Sequence, residues 1–132
     1  MIKVRILAFL LFFLTCSINK EIDTWKVYYL GGQSNMDGYG YNSKLPDSLN
    51  IEIENAMIFD GFRDNTGSSN GGVGKWEKIK PGHGYGFSTD GYLNSLSNRF
   101  GPELSFANTL SQYGDKIAII KYSFGGTALY PG

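Results

Sequence analysis

Three residue types that often carry protein chemistry are almost missing from this 132-residue chain, which has one cysteine, one histidine and four prolines. A lone cysteine, Cys16, excludes an intrachain disulfide. One histidine with scattered carboxylates does not make a metal-ligand spacing, so no metal and no other cofactor is expected. Charge of either sign is also lacking in excess, because 12 basic and 12 acidic residues cancel. That removes the electrostatic case for nucleic acid or an anionic membrane surface as a partner. Gly71-Gly72-Val73-Gly74-Lys75 lacks a preceding strand and the rest of a Walker pattern, so no phosphate loop is read there.

What the chain has is glycine and aromatic residues: 18 Gly, 9 Tyr and 9 Phe, with 42% hydrophobic residues overall. This fits one globular domain with many turns. The first residues differ in character. Lys3 and Arg5 precede an unbroken apolar run, Ile6 to Leu14, and Thr15-Cys16-Ser17 supplies small residues before Asn19-Lys20-Glu21. The run is shorter than the roughly 20 residues that span a bilayer and fits a signal-peptide core. Residues 1–18 are therefore read as a leader, with a short membrane anchor as the alternative, and the remainder as secreted or periplasmic. Cys16 stands where a lipoprotein's acylated cysteine would stand, although Phe13-Leu14-Thr15 matches a lipobox only loosely. The other reading is a cysteine in a discarded leader.

In the domain, 22–132, the apolar stretch Thr24 to Leu30 predicts a strand, and Gly31-Gly32 ends it. Ser34 to Gly40 is expected as a short helix or loop. Residues 55–59 predict a second strand, and Asp60 to Asn98 reads as a long Gly-rich loop. Glu103 to Gln112 has helical spacing of Leu104, Ala107 and Leu110, with Gly114 after it. Lys116 to Tyr122 is the clearest buried-strand signal, and Gly125-Gly126-Thr127 follows. The alternation of strands and helix predicts an α/β fold with a parallel sheet. Both Gly turns then lie at the carboxyl ends of strands, where open α/β sheets bind ligands.

Ser34, in the turn after the first strand, is the candidate nucleophile. The alternative is a serine that only caps a turn. Gly125 and Gly126 read either as oxyanion donors or as a tight turn after a buried strand. Pro102-Glu103 is an ordinary helix start, with Pro in the first turn and an acid favoured by the helix dipole. The alternative for Glu103 is a carboxylate bonding backbone near the site. Arg99 reads as solvated or ion-paired.

Gly32-Gln33-Ser34-Asn35-Met36 resembles the first block of the SGNH hydrolases, in the form found in carbohydrate esterase family 6 and sialate O-acetylesterase-like proteins. Residues 100–107 (Phe-Gly-Pro-Glu-Leu-Ser-Phe-Ala) and 121–129 (Lys-Tyr-Ser-Phe-Gly-Gly-Thr-Ala-Leu) resemble two further recurrent segments of that group, in the right order. Trp76…Pro81-Gly82-His83 is similar to a Trp…Pro-Leu-His stretch, with Gly82 in place of Leu. The resemblance implies a three-layer α/β/α, flavodoxin-like fold and a serine acetylesterase acting on acetylated polysaccharide or sialic acid. It implies Ser34 as nucleophile, with the Ser34 N–H and Gly126 or Gly125 in the oxyanion hole. Gln33, Asn35 and His83 become substrate-cleft candidates. The family's catalytic His and Asp come from an Asp-x-x-His segment near the domain's C-terminus, after a Gln-Gly-Glu segment. Neither occurs in this sequence, so the resemblance is to the N-terminal part of the domain. His83 lacks an Asp three positions before it, where Lys80 stands. Two rival readings are a catalytically incompetent fragment and a carbohydrate-binding module using Trp76, Tyr85 and Tyr92.

Overall fold

The computed structural model describes residues 24–62 and 71–126. Residues 1–18, which the sequence analysis reads as a leader and which include Cys16, lie outside the described residues, as does Thr127. The central sheet is built from β1 (Trp25–Gly32), β3 (Ala56–Phe62), β4 (Gly71–Lys78) and β8 (Lys116–Ser123), in the order β1-β8-β3-β4. β8 runs parallel to both β1 and β3, while β4 is antiparallel to β3. The sheet is thus mostly parallel. Among the described strands, the third parallel one, β8, lies between the other two. β8 takes the centre because Ile117 and Ile119 are fully buried there, and a strand paired on both edges is where continuous apolar sequence belongs.

One correction concerns residues 60–98, whose described part is not one loop. β4 occupies 71–78 and β5 (Ser88–Thr89) pairs with β6 (Asn94–Ser95), while just beyond this range β7 (Arg99–Phe100) pairs with β2 (Gly40–Tyr41). Glycine hid β4, since Gly lowers strand propensity. Gly72 has a steric purpose: a Cβ there would stand 2.4 Å from the Asp60 carbonyl oxygen.

α2 (Pro102–Ser111) packs on one face of this sheet. Its Leu104 and Ala107 join Ile53, Ala56, Ile58, Ile79, Ile117 and Ile119 in the core. Tyr28 of β1 meets Phe106 edge-on, with ring centroids 5.1 Å apart. Strand parity makes the other face the home of Tyr29, Ile120, Phe59 and Trp76, which are register partners in a row across all four strands. Tyr29 is 67% exposed and Trp76 43%. Among the described residues, no helix is long and apolar enough to cross a membrane.

Candidate active site

β1 and β8 lie side by side, pairing Gly31 with Tyr122 and Gly32 with Ser123. Both strands therefore end at the same edge, and the Phe124 N–H donates to the Gly32 carbonyl (3.1 Å) to join the turns that follow. After β1 the chain makes a single helical turn, α1 (Ser34–Asp37), with Gln33 as its N-cap residue. The Met36 and Asp37 N–H groups donate to the Gln33 carbonyl, both at 2.9 Å. Gly38 ends the turn at φ 89, a conformation suited to glycine. No side chain fits there, since a Cβ would come within 2.2 Å of Gly101 Cα.

Ser34 lines a cleft of about 490 Å³ with Asp37, Tyr39, Tyr85, Gly86, Phe124, Gly125 and Gly126. The expected proximity of the two Gly turns is thus observed. The volume is in the range of small-molecule sites. Gly126 has φ 79, and a Cβ on it would meet nothing within 4 Å, so backbone conformation rather than space favours glycine there. Tyr39 and Tyr85 stack with centroids 4.5 Å apart and form an aromatic wall beside the serine. Arg99 Nη1 donates to the Tyr39 carbonyl (2.6 Å), and the guanidinium lies 3.4 Å over the Tyr41 ring. Arg99 is thus a brace for the rim rather than a partner in an acidic ion pair.

Gln33 and Asn35 flank Ser34 and are exposed, but neither is among the residues lining the cleft. His83 is placed differently from a cleft residue. It is 1% exposed, its ring lies against Phe87, and Nδ1 pairs with Asp60 Oδ2 at 3.1 Å. Nε2 is buried without a protein partner. The bury-and-pair arrangement withdraws His83 from the cleft as the site is drawn by its lining residues.

A buried ion pair beneath the cleft was not anticipated. Lys121 Nζ donates to Glu103 Oε2 (2.7 Å), the His83 carbonyl (2.6 Å) and the Asp37 carbonyl (3.3 Å). The side chains of Lys121 and Glu103 are 0% and 1% exposed. Glu103 Oε1 also accepts from the Gly101 N–H (2.9 Å), so this residue both caps the start of α2 and bonds backbone near the site. The available signal was a lysine at an inward position of β8, in step with Ile117 and Ile119. Ser123, also inward, donates from Oγ to Asp37 Oδ1 at 2.8 Å. Among the described residues, no group of three or more His, Cys, Asp or Glu is placed to hold a metal ion.

This arrangement offers a hydroxyl at a strand end, glycine backbone opposite it and an aromatic wall. Comparison with a solved structure agrees at the level of fold. A protein from Arabidopsis thaliana, solved by X-ray crystallography, matches with a TM-score of 0.52 and 19% identity. The match covers 77% of this chain and 41% of that one, so the chain spans less than half of the solved protein's length. No curated protein matches the chain. Residues 24–131 match the family described as carbohydrate esterase, sialic acid-specific acetylesterase, and the chain belongs to that family.

Proposed function

We propose that the chain carries the nucleophile and oxyanion-binding part of a carbohydrate O-acetylesterase, acting on acetylated polysaccharide or O-acetylated sialic acid. The observation that carries this reading is the meeting of Ser34 with the Gly125-Gly126 turn in one cleft. Ser34 Oγ attacks the acetyl carbonyl, and the negative oxygen of the tetrahedral intermediate accepts from the Ser34 and Gly126 N–H groups. As the first residue of a helical turn, Ser34 has an N–H without an intrahelical acceptor. Each such donor is worth roughly 10²–10³ in rate. Collapse releases the sugar hydroxyl and leaves an acetyl-serine that water then cleaves.

The proton from Ser34 needs an acceptor, and among the described residues no histidine lines the cleft. We assign that role to a segment outside the described residues. A three-layer fold belongs to the same proposal. The row Tyr29, Ile120, Phe59 and Trp76 gives a second helical layer an apolar seat, because parallel sheets are ordinarily covered on both faces. The leader pattern at 1–18 supports export, and Cys16 stands where a lipoprotein's acylated cysteine would stand.

Acetate release from acetylated xylan and from O-acetylated sialic acid, by the protein and by Ser34→Ala, tests the reading. Release that depends on Ser34 is expected. Sugar binding without turnover, unchanged in Ser34→Ala, favours the carbohydrate-binding module. Neither binding nor turnover favours the incompetent fragment.

A further inference from the structure

α1 has only four residues. A segment that short does not hold a helical conformation by itself, so the direction of Ser34 depends on what grips the turn from outside. The grips converge on its last residue. Asp37 is 3% exposed, and Lys121 donates to its carbonyl while Ser123 donates to its carboxylate. Lys121 and Ser123 are two apart on β8, so they project from the same face of one strand. That strand continues directly into the Gly125-Gly126 turn. The other carboxylate oxygen, Oδ2, faces this turn, at 3.9 Å from where a Cβ on Gly125 would stand. Asp37 is one helical turn from Ser34, which puts both on one side of α1, and both line the cleft.

We propose that Asp37, held twice by β8, is a positioning residue that sets the Ser34 hydroxyl against the Gly125-Gly126 turn. It acts through backbone and strand, without touching the acyl group. The needed property is the acceptor oxygen at that place, not the negative charge. Asparagine supplies the same acceptor to Ser123 Oγ through its amide oxygen; alanine does not.

The rate readout rests on the esterase reading, while the amide readout stands without it. The protein, Asp37→Asn, Asp37→Ala and Ser34→Ala are treated with diisopropyl fluorophosphate, and ¹H–¹⁵N spectra are recorded before treatment. Asp37→Asn is expected to label at Ser34 within about twofold of the parent. Asp37→Ala should label about tenfold more slowly or worse, since small misplacements of a reacting group are costly. Its amide resonances at Ser34, Asn35, Gly125 and Gly126 should move, while those of Ile117 and Ile119 stay. Parent-like labelling by Asp37→Ala with unmoved resonances overturns the proposal. So does an Asp37→Asn as slow as Asp37→Ala, which would make the charge the needed property. If the parent itself is not labelled, the esterase reading fails and the resonances decide alone. Movement in Asp37→Ala but not in Asp37→Asn supports positioning, and any other pattern overturns it. Should Asp37→Ala not fold, Ser123→Ala, which removes only the donor hydroxyl, replaces it with the same expected outcomes.

Discussion

Removing the Lys121 ammonium alone, as Lys121→Met, leaves Glu103 buried with one oxygen stripped of its cation. The two side chains are 0% and 1% exposed, so water does not replace the lost partner. Breaking a buried pair from one side costs about 3–5 kcal/mol, and Glu103→Leu costs about the same for the converse reason. The double variant removes both charges. It still strands the Gly101 N–H and withdraws one donor from the His83 and Asp37 carbonyls. At about 1 kcal/mol for each under-satisfied group, the double costs about 3 kcal/mol, against about 6–10 kcal/mol for the sum of the singles. The pair should therefore show a coupling of about 3 kcal/mol or more. Urea unfolding of all four proteins, read by linear extrapolation, measures it. Additivity within about 0.5 kcal/mol, as expected for independent sites, would refute the buried ion pair as the link between α1, α2 and β8.

Two further predictions test local features. Gly72→Ala places a methyl 2.4 Å from the Asp60 carbonyl oxygen and should destabilise the protein by about 1–3 kcal/mol, as overpacking does. Gly61→Ala meets only Phe59 Cε1 at 3.7 Å and should stay within about 0.5 kcal/mol in the same denaturation assay. Asp90 accepts backbone N–H bonds from Leu93 and Tyr92, both at 2.8 Å, and these hold its carboxyl below the usual carboxylate value. A carboxyl depressed on folding stabilises above its unfolded value, and that contribution disappears as pH falls through the folded value. Amide resonances of Tyr92 and Leu93 should therefore follow an acid-side titration that Asp90→Ala abolishes, and a titration surviving in the variant would contradict the assignment.

β8, β1 and α2 were legible because each has a clean pattern. Ile117 to Ile120 reads as a buried strand, Gly31-Gly32 closes β1, and α2 has its apolar residues three or four apart after Pro102. The meeting of Ser34 with Gly125 and Gly126 was legible too, since adjacent parallel strands bring their carboxyl ends together. β4 was not, because four residues of Gly71-Gly72-Val73-Gly74 give a strand almost no side-chain signal. Its pairing comes from the partner strand, where Phe59 meets Trp76. Lys121 and Glu103 were illegible as a pair because 18 positions separate them and each has an ordinary local reading. Only the fold brings a lysine in a strand against a helix-start acid. His83 was drawn toward the cleft by its place in a motif, whereas burial against Phe87 and pairing with Asp60 give its side chain another task.

The account turns on Ser34 as the atom that takes the acyl group. The most direct measurement is rapid acid quenching of the protein during reaction with p-nitrophenyl acetate, then mass spectrometry of tryptic peptide 27–44. An acetyl group on Ser34, absent from that peptide in Ser34→Ala, is the predicted result. Nitrophenol release at the same rate from both proteins, with no acetyl group on the peptide, would contradict it.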